Sequence, residues 1–200
     1  FLMLGLTMGL GAGVTASIAR FIGEDDKIRA DNVAEHALAM AAVISFVFTI
    51  LGILYGKNLL IFLGAKNVIL ELAWHYLSTM VIGLPFMVFS GFFRSILAGE
   101  GDMKFPMMIA GLGTVINIIL DPIFIFKLEK FGNFGLGLGI GGAALATVIS
   151  QFIVFIIFIY MLFVKKHAYV VFNLKYFSPS RLILWDIIKV GVPASLSMTI

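Results

Sequence analysis

Asp121 is the one carboxylate inside the apolar stretch Phe105–Phe126, and its neighbours are suited to act with it. Asn117 precedes it by four residues, so on a helix the amide and the acid share a face, about one turn apart. Pro122 follows at once. It removes a backbone donor and loosens the carbonyl ladder of the preceding turn, which predicts a kink. A charged side chain at the centre of a bilayer costs at least ~2.5 kcal/mol on insertion scales, so a neutral residue would be the cheaper occupant. The chemistry such a pair supports is cation exchange. A carboxyl group binds a proton or Na⁺, and an amide offers a carbonyl oxygen to a metal ion or a hydrogen bond to either protonation state. Bond-making chemistry is not expected: His36, His75 and His167 are scattered and no acid cluster accompanies them, so the chain does not read as an enzyme.

The elements that must position this pair are membrane-spanning helices. Hydrophobic residues make up 61% of the chain, charged residues 12%, and the mean hydropathy is +1.09. A soluble domain carries about 25% charged residues, so the composition excludes one. There is no Cys, hence no disulfide framework and no thiolate metal site. Apolar runs of spanning length fall at about 1–20, 37–56, 72–97, 105–126 and 141–164, which predicts an all-α polytopic bundle. Pro85 lies inside the third run and predicts a second kink. The polar stretch 23–32 reads as a loop, with Gly23 suited to a C-cap and Asp31 or Asn32 to the next N-cap. Lys57 and Lys66 bracket a short connector, and Lys127, Glu129 and Lys130 mark the end of the Asp121 span.

Residues 132–142, GNFGLGLGIGG, formally contain a dinucleotide-type glycine pattern. They follow no strand and precede an apolar helix, so they read as a loop with tight helix packing. Residues 168–188 form a mixed connector, broken at Ser178-Pro179-Ser180, and Gly191 opens a further run. The chain begins and ends within apolar runs, so we read it as an internal fragment.

Alternating loops give an orientation from Lys and Arg alone. Ten of the fourteen fall on one side: Arg20, Lys27, Arg29, Arg94, Lys104, Lys165, Lys166, Lys175, Arg181 and Lys189. The loops at 20–36, 94–104 and 165–189 are therefore expected to be cytoplasmic in a multi-pass plasma-membrane protein. Asp121 then lies in the outer half of the membrane. The formal charge of +3 gives no reason to expect nucleic acid as a partner.

Five stretches, taken in order, resemble one family: GEDD at 23–26, LPF at 84–86 with GEGD at 99–102, NIILDPIFIF at 117–126, GIGGAALATVISQ at 139–151 and KVGVPASL at 189–196. They are similar to the multidrug and toxic compound extrusion (MATE) transporters, in the DinF-like prokaryotic branch. The resemblance implies two six-helix lobes in twelve helices, with 1–167 forming most of the N-terminal lobe, 168–188 the inter-lobe connector and 189–200 the start of the second lobe. It implies an alternating-access antiporter, driven by protons or Na⁺, that exports amphipathic organic cations, drugs or other toxic compounds. No cofactor beyond the coupling ion is implied. The expected setting is a monomer in the lipid bilayer, with the second lobe in the same chain. Asp121, Asn117 and Tyr76 would form the coupling site, with Na⁺ held at Asp121 and Asn117, and a partner Asp would lie outside this chain. Relatives often carry paired Asn where this chain has Ser90-Gly91. A lipid-linked saccharide flippase of the same superfamily, or a non-transport scaffold, is the alternative reading.

Overall fold

The computed structural model describes residues 2–127, 135–172 and 179–199. The described chain is helical: α1 Leu2–Gly23, α2 Lys27–Phe62, α3 Asn67–Gly99, α4 Lys104–Ile125, α5 Ile140–Ile159 continued by a π-helical turn at Tyr160–Val164, and α6 Arg181–Thr199. Five of these helices are long and apolar enough to cross a membrane. In hydrocarbon each backbone N–H and C=O must find a partner within the protein, and a helix supplies them all internally. Val43, Phe46, Ile50 and Leu54 form an exposed apolar stripe at helical spacing along α2, as lipid contact demands.

Two of the helices, α2 and α3, run well beyond their apolar runs. α2 has 36 residues, a rod of ~54 Å at 1.5 Å per residue, well beyond a hydrocarbon core of ~30 Å. The expected loop at 23–32 shrinks to residues 24–26, because Asp26 caps α2: its Oδ1 accepts the Arg29 N–H at 2.9 Å. Asp31 and Asn32 are therefore interior to the helix. Nor does Gly23 take the left-handed position after α1. That role falls to Asp25, at φ 57°, and the Asp26 N–H closes the turn onto the Phe21 carbonyl. The connector bracketed by Lys57 and Lys66 likewise narrows to a turn after Phe62, where Gly64 has a positive φ. Glu129, Lys130, Lys175 and Ser178, with residues 132–134 of the glycine-rich stretch, lie outside the described residues.

Two compact units divide the chain. The first takes in the described residues of Phe1–Ile44, Val88–Met108 and Ile156–Ile200. Its core joins Val14, Ile18, Phe21, Ala37, Phe92, Ile96 and Ile187. Here α1 and α6 meet backbone to backbone: a Cβ on Gly13 would overlap the Ile187 carbonyl oxygen, so only glycine permits the approach. At Gly91 an added Cβ would sit 3.1 Å from Thr7 Cγ2 on α1, so α3 also packs closely on α1 at this point. The second unit takes in Ser45–Met87 and the described residues of Ile109–Phe155. In it Gly52 receives Val81, Gly83 receives Val148, and Phe86 meets Phe152 edge-on at 5.0 Å between centroids.

Candidate functional site

α4 ends in the second unit with its last carbonyls facing a loop rather than a further turn. The N–H groups of Leu136, Leu138 and Gly139 donate to the carbonyls of Ile123, Phe124 and Ile125, at 2.9, 2.9 and 3.1 Å. A helix end otherwise leaves such acceptors unpaired, which is intolerable away from water. Gly137 and Gly139 both hold positive φ, 63° and 57°, so the glycines have a backbone function in this return. Gly142 then lies so close to the Phe124 carbonyl that a Cβ would overlap it. The start of α5 is thereby fixed against the end of α4.

This docking brings Thr147 of α5 beside Asn117 of α4. Asn117 Nδ2 lies 3.5 Å from Asp121 Oδ1 and 3.4 Å from Thr147 Oγ1. The Thr147 hydroxyl donates to the Ala143 carbonyl at 3.0 Å, so its oxygen serves Asn117 as an acceptor. Both amide protons are thus engaged, and the side-chain oxygen Oδ1 of Asn117 accepts no hydrogen bond among the described residues. The two contacts are at the long end for N–H···O, near 2.9–3.0 Å at their most common. All three residues are half-buried. The arrangement is a short polar chain, carboxylate to amide to hydroxyl, laid across two membrane-spanning helices. It can bind a cation at the carboxylate and register the event at the helix–helix contact through the amide.

Asn117 and Asp121 are brought together as their spacing predicts. Tyr76 is not joined to them. It lies on α3, 38% exposed, beside a cavity of about 440 Å³ walled by Leu60, Ile69, Leu72, Leu77 and Ile140. Among the described residues it makes no hydrogen bond to Asn117 or Asp121. Thr147 is the member that residue spacing missed; its only signal was its place in the small-residue run 139–151, five positions after Gly142. Pro85 and Pro122 sit inside helices that continue through them.

A family model named MatE matches residues 1–123. The chain is 29% identical to the probable multidrug resistance protein YoeA of Bacillus subtilis strain 168, over 99% of this chain and 42% of that protein. It is 31% identical to an FAD transporter of Shewanella oneidensis, over 80% of this chain and 34% of that one. A solved outward-facing conformation of a multidrug resistance MATE family transporter of the MOP superfamily is similar at a TM-score of 0.90. Its identity is 41%, over 99% of this chain and 42% of that one. The chain spans about two fifths or less of the length of the curated relatives it matches.

Proposed function

The chain belongs to the MatE (MATE) family of membrane transporters, and from that premise we propose that it forms part of a cation-coupled antiporter exporting amphipathic organic compounds. The observation that carries this reading is the Asn117 bridge between Asp121 and Thr147 inside the membrane-spanning bundle. A transporter exchanging a cation for cargo needs one group that binds the cation reversibly and one contact that responds to it. Asp121 supplies the first. Asn117 supplies the second, because its N–H donates well to a carboxylate and poorly to a carboxyl that has taken up a proton. Proton or Na⁺ binding at Asp121 weakens that donation and biases the packing of α4 on α5, so cation and cargo favour different arrangements of the same helices.

The relatives named for multidrug resistance support an exporter of varied compounds. In this reading Pro85 and Pro122 are the places where α3 and α4 bend. Tyr76 is kept as a candidate member of the coupling site, approaching it when the helices rearrange. Cytoplasmic loops at 20–36, 94–104 and 165–189 are supported by the contacts that gather their described residues at one end of the first unit: Lys27 with Tyr169, Glu100 with Val170, and Asp102 with His167.

The test is uptake of a fluorescent organic cation by proteoliposomes holding the intact protein, with proton and Na⁺ gradients imposed separately. Accumulation driven by one gradient and abolished by its collapse supports the antiporter. Equal uptake with and without either gradient overturns it.

A further inference from the structure

α6 opens with a stripe for which coupling at Asp121 has no use. Arg181, Trp185 and Lys189 follow one another at intervals of four, so they share one face of the helix. All three are exposed, Trp185 to 63%, and Leu182 beside them is 78% exposed. The one acid on this stretch, Asp186, is taken by Arg20 of α1 at 2.6 Å. Among the described residues neither Arg181 nor Lys189 enters an ion pair, so the stripe keeps two unmatched positive charges.

The adjoining face of α6 lines a groove of about 450 Å³. Leu184, Ile188 and Val192 form one wall, and Leu10 of α1 with Met40 and Val43 of α2 forms much of the rest. His36 stands at one end, but it is 1% exposed and both ring nitrogens are engaged, so it presents nothing polar to an occupant. From His36 to Ile44 the groove follows α2 for ~12 Å at 1.5 Å per residue, close to the ~15 Å of one leaflet's hydrocarbon. Val43 also belongs to the exposed apolar stripe of α2, so the groove is continuous with the surface that meets lipid.

We propose that this groove holds one acyl chain of an anionic phospholipid, whose phosphate is bound by Arg181 and Lys189 beside Trp185. Trp favours the boundary between headgroups and hydrocarbon, and here it marks the level of the phosphate. Lys189 lies about two turns deeper than Arg181. Helical side chains lean toward the helix N-terminus, here the shallow end, so its ammonium reaches the headgroup while its stem covers apolar surface. An anionic phospholipid carries both complements at the right levels, its charge among the headgroups and its chain below them. The inference goes beyond the antiporter reading and holds or fails without it.

Photolabelling of the intact protein in phosphatidylcholine nanodiscs tests it. A small fraction of the lipid is phosphatidylglycerol with a diazirine on one acyl chain, and the labelled residues are mapped by mass spectrometry. Label should fall on Met40, Val43 and Ile188. The same amount of diazirine-bearing phosphatidylcholine should label them at least roughly fivefold less, and R181Q and K189Q should each cut phosphatidylglycerol labelling there by roughly fivefold. Ala39 is an exposed residue of the groove lining, so A39F fills the groove without disturbing the core and should suppress the same labelling. Phe46 and Leu54, on the open lipid-facing stripe, should be labelled alike in every variant. Label confined to Phe46 and Leu54 overturns the proposal, since another part of the protein or a second copy then covers the groove. Equal labelling of the groove by the two lipids overturns it too, as does labelling indifferent to both charge removals. If A39F does not fold, the two lipids and the charge variants decide.

Discussion

Asn117 holds its amide nitrogen 3.5 Å from the Asp121 carboxylate, one turn along α4, and turns its other N–H to Thr147 on α5. A single amide therefore links the acid to a neighbouring helix. On the proposed reading, an event that changes the carboxylate's appetite for a donor would be passed to the α4–α5 contact.

Removing the far end of that link should weaken the site without dismantling the bundle. Hydrogen bonds between membrane helices average ~0.6 kcal/mol and reach ~1.7 kcal/mol, so Thr147→Val should cost no more than this in stability. The same loss at the site corresponds to a cation affinity roughly 3- to 20-fold weaker. Thr147→Ser, which keeps the oxygen, should stay near the native value. Cation titration monitored by intrinsic fluorescence measures both. Equal affinities for the Val and Ser variants would show that the hydroxyl takes no part.

The approach of α5 to α4 depends on Gly142, whose missing Cβ leaves room for the Phe124 carbonyl. Gly142→Ala should lower stability by about 1–3 kcal/mol through overpacking against backbone that cannot turn aside. It should also weaken cation binding, because it forces apart the two helices that carry Asn117 and Thr147. Gly111→Ala is the control on the same helix as Asn117, since a Cβ there meets nothing within 4 Å. Thermal melts in detergent compare them, and identical melting temperatures would contradict the packing argument.

His36 is 1% exposed and bridges two backbones. Its Nδ1 lies 2.7 Å from the Asn32 carbonyl, and Nε2 accepts the Ser180 N–H at 2.9 Å, just before α6. Those partners dictate a neutral ring with its proton on Nδ1. His36→Phe keeps the ring and removes both polar contacts. Leaving the Ser180 N–H and the Asn32 side of the bridge unanswered should cost about 1–3 kcal/mol, read as a lower melting temperature and faster exchange at Ser180. Native-like exchange there would show that the imidazole does not seat α6.

Asp102 caps α4, accepting the Phe105 N–H at 3.1 Å, and meets His167 on its other oxygen. The Phe105 N–H is the larger influence, and with His167 it holds the carboxyl below its ordinary value. A carboxyl depressed on folding adds stability above its unfolded value and loses it as the pH falls through the folded one. Asp102→Ala should therefore cost ~1 kcal/mol near neutral pH, with the gap to the native protein closing as the pH drops below about 4. Chemical denaturation at several pH values measures the gap. A gap that widens with acid would contradict this sign.

The spans were legible because hydrocarbon imposes a crude test that Phe105–Phe126 or Ala143–Val164 passes on composition alone. Helix length was not. Hydropathy reports the surrounding solvent, whereas α2 continues through Asp31 and Asn32 because Asp26 caps it well before the apolar run begins. The Asn117–Asp121 pair was legible because it lies within one turn. Thr147 was not, since a contact thirty residues away depends on the loop that pairs Leu136, Leu138 and Gly139 with the end of α4. Tyr76 was assigned by family resemblance, and in this arrangement of the helices it faces an apolar cavity instead.

Asp121→Asn tests the account most directly. The intact protein, native or variant, would be reconstituted into proteoliposomes, and gradient-driven efflux of an organic cation followed after each variant is shown to insert and to melt like the native protein. Asparagine keeps the size of the side chain and an acceptor for Asn117 but cannot exchange a proton or balance Na⁺. The account expects coupled efflux to disappear while the protein remains folded. Efflux at the native rate under the same gradient would contradict it.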